Sequence, residues 1–329
     1  MRFDRERLSV AARILVWSLA FTTACAGLAG LWWLFELFVH FRLQYLISGL
    51  LLGAVLWALH RRRMAALALL LAGVNAIAIL PVLLVPVNAA PPRAGAALHV
   101  VSLNVFGFNR QYARVREYLR SERPDVAVLL EITPDWEREL QPLRSEFAYI
   151  WVVPTGERAG MAVLSRAAPL ATREVDLGNT GEPSLLLTLD RPGGAISVLG
   201  THLYWPLGPY ASLVRNRQMV SIAGLARAHD KPLIVAGDFN ATPFSPQFAR
   251  LLSDGRLSNC AGGAGIAPTW PAWVPFLLIS IDHCLISSGL SAGNFRVGGY
   301  VGSDHYPIAA DVWAARAAPR PAAGPSPDR

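Results

Sequence analysis

The chain begins with long apolar segments that are separated by short polar breaks. Three segments, at about residues 14–39, 43–59 and 64–87, approach or exceed the roughly 20 residues that a helix needs to cross a bilayer. A cleaved signal peptide is shorter and is not followed by two further apolar segments. Buried helices of a soluble protein are the alternative, but apolar runs of this length are rare in globular cores. The pattern therefore predicts an all-α transmembrane anchor of three helices over residues 1–88.

After this anchor the pattern changes to short apolar strands that alternate with amphipathic helices. Predicted strands cover residues 98–105, 125–132, 161–165, 184–189, 195–203, 232–239, 280–286 and 305–312. Predicted helices cover residues 111–122, 134–146, 209–229 and 245–253. Strands outnumber helices, which favours an α+β fold over a doubly wound parallel sheet. One domain is thus predicted over residues 98–314, between an Ala-, Pro- and Gly-rich linker at 89–97 and a Pro-rich, disordered tail at 315–329.

Composition supports a membrane segment and argues against a strongly basic domain. Hydrophobic residues make up 53% of the chain, more than is usual for a soluble protein. The formal net charge is +7, but residues 1–95 contain 9 basic and 3 acidic side chains, whereas residues 96–329 contain 21 and 20. The predicted domain is therefore nearly neutral. Proteins that bind duplex nucleic acid usually carry a strongly basic face, so nucleic acid is not the favoured partner.

The basic residues also predict the orientation of the anchor. Four arginines precede residue 14 and three more occupy positions 61–63, whereas the short link between the first two segments contains only His40 and Arg42. Because cytoplasmic flanks collect Lys and Arg, both clusters are expected inside. This places the domain outside the cytoplasm, on a multi-pass protein of the cytoplasmic membrane. For Glu36, near one end of the first segment, a functional role is one interpretation, and a carboxylate at the membrane interface is the favoured one.

Polar side chains recur at the ends of six predicted strands. They are Asn104, Glu131, His202, Asp238, Asn240, Asp282, Asp304 and His305. A single example is explained by a turn, since Asp and Asn close many strands. Six are harder to dismiss, because every buried polar group needs a partner, and a shared ligand would satisfy them together. Carboxylate and amide oxygens suit Mg²⁺ or Mn²⁺, and the three cysteines lack the spacing of a zinc site and are interpreted as structural or inert.

The segments that contain these residues resemble the motifs of a known superfamily. "SLNV", "LLEI", "GTHL", "GDFN", "IDH" and "SDHYP" occur in the order found in the endonuclease/exonuclease/phosphatase superfamily, over roughly residues 97–313. That superfamily includes DNase I-like nucleases, AP endonucleases, inositol polyphosphate 5-phosphatases and neutral sphingomyelinases. The resemblance implies two packed β-sheets flanked by helices, a four-layer α/β/β/α sandwich.

The resemblance also implies a metal site and a phosphate contact. Glu131 would be the principal ligand of Mg²⁺ or Mn²⁺, assisted by Asn104 and Asp304. Arg166, which follows the segment "GERAGMAVLS", would face the phosphate of the substrate. Glu157 in the same segment would orient His202, although an exposed loop carboxylate is the commoner reading of such a residue.

Five further residues receive catalytic roles from the same resemblance. Asp238 would orient or deprotonate the attacking water, and Asn240 would hold that water and the phosphate in line. His305 would stabilise the charge of the transition state, with Asp282 fixing the tautomer of its ring. His202 would donate to a phosphate oxygen.

These residues and the anchor together predict a membrane-anchored, divalent-metal-dependent phosphoesterase. Tethering favours a phosphorylated substrate that resides in the membrane, such as a lipid headgroup or a polyprenyl phosphate. The three-span arrangement is also similar to that of superfamily members linked to glycopeptide resistance, and this resemblance implies a polyprenyl pyrophosphate. An extracytoplasmic nuclease is the alternative, because the motifs alone do not separate the two activities. A catalytically inactive binding module on the same fold is a third interpretation, but it would require a broken motif, and all six are intact. The oligomeric state stays open.

Overall fold

The computed structural model describes residues 2–85, 97–155, 158–262 and 266–315. Most of the predicted linker and tail, and Glu157, lie outside the described residues. Four helices form the N-terminal helical region, which comprises α1 (Arg2–Gly27), α2 (Trp33–Val39), α3 (Arg42–Ala58) and α4 (Arg62–Leu83). Two of them, α1 and α4, contain stretches long and apolar enough to cross a membrane, and the bent pair α2 and α3 adds a third if it counts as one span.

The predicted helix over residues 14–39 is divided, which corrects its bounds. Helix α1 ends at Gly27, a turn follows, and α2 begins at Trp33 and meets α3 at an angle of 59°. Gly27 and Gly30 stand at this break, and glycine is the weakest helix former after proline. The break lets α2 turn toward the rest of the chain, where Glu36 is buried. The Glu36 carboxylate therefore faces protein groups, and its place at the membrane interface stays a prediction.

The remaining strands form two six-stranded sheets. The first contains, in spatial order, β11 (Leu290–Val297), β12 (Ile308–Ala314), β1 (Leu98–Asn104), β2 (Val126–Ile132), β4 (Arg158–Ser165) and β3 (Tyr149–Thr155). The second contains β5 (Ala171–Asp176), β6 (Pro183–Leu189), β7 (Ile196–His202), β8 (Leu233–Asp238), β10 (Asp282–Ser287) and β9 (Leu257–Asn259). One pair in each sheet is parallel, β1 with β2 and β7 with β8, and the other pairs are antiparallel.

Helices cover the outer face of each sheet. They are α5 (Tyr112–Glu122), α6 (Pro134–Leu140), α7 (Pro209–Ala228) and α8 (Pro246–Gly255). Successive strand residues face opposite sides, so Val100 packs between the sheets and Val101 packs beneath α5 and α6. Burial on both faces explains why these strands read as continuous apolar runs. The order helices, sheet, sheet, helices confirms the predicted α/β/β/α sandwich, and we call this part the sandwich domain.

The four strands that the sequence pattern did not predict are the four edge strands, β11, β3, β5 and β9. Strand β5 is almost wholly exposed, so it lacks the apolar run that marks a central strand. The predicted helix at 134–146 is α6 followed by a 3₁₀ turn, Gln141–Ser145. The central strands, which carry the polar residues at their ends, were all predicted.

Candidate active site

The two parallel strand pairs bring four of the predicted residues together where these strands end, and we call this side of the sandwich the active edge. In the first sheet, β1 ends at Asn104 beside the end of β2, where Glu131 lies. In the second sheet, His202 and Asp238 are direct partners at the ends of β7 and β8. The Asn104 amide donates to Glu131 Oε1 at 2.9 Å and to Asp238 Oδ2 at 3.4 Å, so it joins the two sheets. Parallel strands therefore explain why residues distant in sequence meet here.

Backbone irregularities fix two of the motifs at this edge. The pairing of β2 with β4 shifts at Glu131, whose φ is +62°, and the bulge re-aims its side chain. The second carboxylate oxygen of Glu131 accepts the Gly107 N–H at 3.0 Å. Gly237, just before Asp238, has a φ of +155°, and a Cβ there would overlap the carbonyl oxygen of Thr201. Both motifs thus have backbones that ordinary strand residues would not adopt.

A buried histidine and carboxylate pair lies beside Asp238. His305 Nδ1 donates to Asp282 Oδ2 at 2.8 Å, and both side chains are buried. Asp282 is the antiparallel partner of Asp238. The Nε2 atoms of His305 and His202 lie 3.8 Å and 3.7 Å from the same oxygen, Asp238 Oδ2. The structure therefore gathers the predicted proton-transfer groups around one carboxylate.

The charge of His305 is set by its acidic neighbours. Burial disfavours the imidazolium and by itself lowers the pKa of His305. The negative charge and hydrogen bond of Asp282, with the charges of Asp238 and Asp304, outweigh burial and raise that pKa to about 10. His305 is thus a cation at neutral pH, able to donate from both ring nitrogens.

Asp238 is poised to exchange a proton near neutral pH. Burial raises its pKa, the charge of Asp282 raises it further, and the attraction of His305 and His202 opposes both, which leaves the value at about 6. General acid–base groups work best when their pKa lies near the working pH. The Asn240 backbone N–H donates to Asp238 Oδ1 at 2.8 Å, so one carboxylate oxygen is held by the loop and the other faces the histidines.

Two of the three predicted metal ligands, Glu131 and Asp304, are carboxylates with oxygen lone pairs for a divalent cation. Asp304 Oδ2 accepts from Trp270 Nε1 at 3.1 Å, whereas its buried Oδ1 has no hydrogen-bond partner among the described residues. Burial raises the pKa of Asp304, and the charge of Glu131 adds to this, although His305 and Trp270 oppose it. A hard cation between two such carboxylates would satisfy the orphaned oxygen and relieve the repulsion. The donor set fits Mg²⁺ or Mn²⁺.

Asn104 contributes to this site mainly as a hydrogen-bond donor. Its amide oxygen accepts the Phe106 N–H at 3.0 Å, and its amide nitrogen faces Glu131 and Asp238. The predicted ligand role of Asn104 therefore depends on the remaining lone pair of that oxygen. Its observed contacts hold the Glu131 carboxylate in place.

A second group of possible ligands fits a metal less well. Among the described residues, Asp238, Asp282 and His305 each place one ligand atom within 4.8 Å of the others. His305 Nδ1 already donates to Asp282 Oδ2 at 2.8 Å, however, so these two side chains satisfy each other without an ion. We therefore assign this group to proton transfer and charge stabilisation.

Arg166 does not reach this edge, which corrects its predicted role in substrate binding. It follows the last residue of β4, which runs antiparallel to β2, and so lies beside Asp125 at the start of β2. Glu131 is at the other end of that strand. The Arg166 guanidinium donates to the carbonyl oxygens of Pro124 at 2.9 Å and Glu146 at 3.2 Å. These bonds stabilise the far edge of the sheet.

Sequence reasoning missed several residues that support the active edge. The Ser303 hydroxyl donates to the Asn104 carbonyl at 2.7 Å and accepts the His305 N–H at 3.0 Å. It belongs to the "SDHYP" segment, so position in the motif was an available signal. Trp270, which holds Asp304, lies outside every motif and had none. Arg215, whose Nη1 donates to the Asn240 carbonyl at 3.1 Å, begins the segment "RNRQ" on a predicted helix, for which the sequence predicts either support of the sheet or contact with substrate.

Solved structures share this fold. They include the endonuclease/exonuclease/phosphatase from Beutenbergia cavernae, at 21% identity over 67% of this chain and 72% of that chain, with a TM-score of 0.56. A humanized D. rerio TDP2 has 16% identity over 66% of this chain and 98% of that chain, with a TM-score of 0.55. Sphingomyelinase C from Streptomyces griseocarneus has 20% identity over 65% and 99%, with a TM-score of 0.51.

The sequence itself matches a family model over the region that contains the site. Comparison with curated proteins finds no match. The model of the endonuclease/exonuclease/phosphatase family matches residues 101–305, which is more than half of the chain. This range runs from the middle of β1 to His305 and includes Asn104, Glu131, Asp238 and Asp304. The chain belongs to the endonuclease/exonuclease/phosphatase family.

Proposed function

We propose that the chain is a membrane-anchored, divalent-metal-dependent phosphoesterase that hydrolyses a phosphate ester or pyrophosphate bond of a lipid-linked substrate outside the cytoplasm. The observation that carries the reaction class is the meeting of two acidic groups at one edge. Glu131 and Asp304 offer oxygen ligands, and Asp238 faces the paired His305 and Asp282. A phosphate anion repels an attacking oxygen, so hydrolysis needs charge neutralisation and a positioned base together.

The roles of the protein groups follow from their charges and contacts. When bound, the metal would neutralise the phosphoryl group at Glu131 and Asp304, with Asn104 holding the Glu131 carboxylate. Asp238, with a pKa of about 6, accepts a proton from water. The protonated His305 stabilises the negative charge that develops on the phosphoryl oxygens.

Asn240 and His202 complete this arrangement. Asn240 is held above Asp238 by its own N–H, and its side-chain amide donates to the Leu203 carbonyl at 2.8 Å. Its amide oxygen has two lone pairs with which to orient the attacking water. His202 is half-exposed beside Asp238, so its ring nitrogen is available to a phosphate oxygen of the substrate.

The membrane part of the proposal rests on the apolar helices α1 and α4 and on the distribution of arginines. A reporter that works only outside the cytoplasm, fused after residue 95, should be active, and one that works only inside should be silent. Replacing the three arginines at 61–63 with Asn should blur this orientation. The reverse result would place the active edge in the cytoplasm and remove the envelope lipid as substrate.

A lipid-linked substrate is supported by aromatic side chains at the rim of the active edge. Phe108, Trp273 and Tyr300 are exposed on loops that lead from or toward β1, β10 and β12. Trp273 packs against Phe106, which lies two residues after Asn104. Aromatic rings of this kind settle at the membrane interface, and tethering concentrates the enzyme on membrane substrates.

A nuclease is the second candidate, because exposed aromatic rings also stack on bases of single strands. The nearly neutral charge of residues 96–329 disfavours it. Purified full-length protein should be offered lipid pyrophosphates, phospholipids, and single- and double-stranded DNA with Mg²⁺ or Mn²⁺. We expect hydrolysis of a lipid phosphate substrate at a higher kcat/KM than that of DNA. Preferential cleavage of DNA would favour the nuclease, and no hydrolysis of any substrate would refute the proposal.

A further inference from the structure

A carboxylate from the N-terminal helical region is buried against the sandwich domain. Glu36 on α2 is 3% exposed, and its Oε2 accepts from Arg215 Nη2 at 2.7 Å. The Ser245 hydroxyl donates to its other oxygen, Oε1. Arg215 on α7 is completely buried. This ion pair therefore crosses between two parts of the chain that are 179 residues apart.

Arg215 also contacts the loop over residues 240–245, which follows the proposed base Asp238. Its Nη1 donates to the Asn240 carbonyl at 3.1 Å, and its Nε donates to the Asn216 side chain at 3.0 Å. Asn240 has a φ of +48°, a left-handed conformation that asparagine adopts more readily than most residues, and the bond from Arg215 fixes its carbonyl oxygen. The Asn240 N–H in turn holds Asp238. One rigid guanidinium thus links Glu36 to the peptide that positions the proposed base.

Other contacts fasten the rest of this loop to the helical region. His40 Nδ1 lies 3.0 Å from Thr242 Oγ1, and both groups are buried. Phe244 packs against a small apolar cluster that includes Ala26 and Val39. The loop from residue 240 to 245 therefore rests on α1 and α2 as well as on its own domain.

From these contacts we infer that Glu36 is a positioning residue for hydrolysis, acting through Arg215 on Asn240 and Asp238. This inference rests on the proposed function, since it assigns a role to the same site. Without its carboxylate, the buried guanidinium keeps its charge but loses its ionic partner, and so it would shift toward other acceptors. The Asn240 peptide would then lose a fixed donor. Small displacements of a base reduce turnover more than they reduce substrate binding.

The test compares Glu36→Gln with Asn75→Ala in the full-length protein. Glutamine keeps the shape and an acceptor oxygen for Ser245 but removes the charge opposite Arg215. Asn75 is the matched control, because it is completely buried in α4 and bonds Arg42 and Thr23 of the helical region, without contacting the loop. We expect Glu36→Gln to lower kcat about tenfold or more, with KM and the Mg²⁺ requirement unchanged. Asn75→Ala should keep the wild-type kcat.

Two further variants separate positioning from general stability. Glu36→Asp retains the charge and should restore part of the lost kcat. Arg215→Lys retains the opposite charge but lacks the planar fork that reaches Glu36 and Asn240 together, so it should lower kcat as Glu36→Gln does. An unchanged kcat in Glu36→Gln, or an equal loss in Asn75→Ala, would overturn the inference.

Amide hydrogen exchange gives a readout that does not depend on activity. Peptides that contain residues 238–245 should exchange faster in Glu36→Gln than in the wild type or in Asn75→Ala, while peptides from β1 and β2 should be unchanged. Equal exchange in all three proteins would overturn the positioning role. If the wild type hydrolyses no phosphoester, the proposed function fails, and the exchange result still decides whether Glu36 orders this loop.

Discussion

At the edge of the sandwich where β1 and β2 meet β7 and β8, two buried carboxylate oxygens, Asp282 Oδ1 and Asp304 Oδ1, lack partners among the described residues. At the opposite edge of the first sheet, Arg166 donates to two carbonyl oxygens, and Asp125 accepts the His99 N–H at 2.8 Å. Both edges are charged. The buried atom that lacks a described partner at the second edge is a donor, Arg191 Nε beside Asp125, whereas those at the first edge are carboxylate acceptors. Because a buried acceptor without a partner costs stability, that edge is the one organised for a ligand.

The largest loss of activity is expected when a metal ligand at the active edge is removed. We expect Glu131→Gln to lower kcat/KM about a thousandfold or more, because a bound cation supplies several kcal/mol of charge stabilisation. Treatment of the wild type with a chelator should have a similar effect, reversed by Mg²⁺ or Mn²⁺. A melting curve of the variant should confirm that it remains folded. Full activity after chelation would show that the carboxylates serve another purpose.

The proton-transfer groups should come next. His305→Ala and Asp238→Asn are each expected to lower kcat at least about a hundredfold, as positioned acid–base and electrostatic groups usually do. The double variant should be little worse than either single variant, because both groups act in one transition state. Steady-state rates of the three variants provide the measurement. Near-normal turnover in either single variant would make "SDHYP" and "GDFN" structural segments.

A smaller effect concerns His283, which is buried behind the active edge. Its Nε2 lies 2.9 Å from the Ala241 carbonyl oxygen, its ring packs against Phe248, and burial lowers its pKa to about 4. The unfolded chain takes up a proton near pH 6.5, whereas the folded chain does so only near pH 4. The contribution of neutral His283 to the free energy of unfolding should therefore be complete above about pH 6.5. It should fall by about 1.4 kcal/mol per pH unit as the pH is lowered from 6.5 to about 4.

Denaturant unfolding of the wild type and of His283→Gln at several pH values between 4 and 7.5 measures this contribution. Carboxylates add their own pH dependence in both proteins, so the difference between them isolates His283. Glutamine retains a donor for the Ala241 carbonyl and cannot be protonated. Equal slopes in the two proteins would contradict a neutral, buried His283.

The smallest effect on activity is expected at the opposite edge. Arg166→Ala should leave kcat/KM within about twofold of the wild type, because Arg166 is remote from Glu131. Loss of its hydrogen bonds to Pro124 and Glu146 should lower the free energy of unfolding by about 1–3 kcal/mol. Enzyme rates and unfolding curves measure the two quantities. Unchanged stability with strongly reduced activity would support the original prediction that Arg166 contacts the phosphate of the substrate.

The sequence pattern predicted the central strands of both sheets better than the edge strands. Strands β1, β2, β7 and β8 are buried on both faces, so their apolar runs and the polar residues at their ends were readable. Edge strands such as β5 have few buried residues, and their pairing depends on a neighbour rather than on their own pattern. Arg166 was misplaced because a motif gives order along the chain, whereas the antiparallel direction of β4 decides which edge it reaches.

The partners of Glu36 could not have been found from its sequence neighbours. It lies in "WLFELFV", an apolar stretch that reads as part of a membrane helix. Its partners Arg215 and Ser245 are about two hundred residues away in sequence, and nothing in their local pattern indicates burial. Contacts between distant segments depend on how the two regions pack, which no local periodicity encodes.

The backbone at Gly237 limits how this protein can vary. Its φ of +155° and the nearness of the Thr201 carbonyl oxygen leave no room for a Cβ, so even alanine would push β8 away from β7. In a library that randomises residues 235–240, this glycine should tolerate substitution no better than Asp238, although it has no side chain to take part in chemistry. Directed evolution toward new substrates would therefore have to work around a fixed Gly-Asp pair and draw its variation from the surrounding loops.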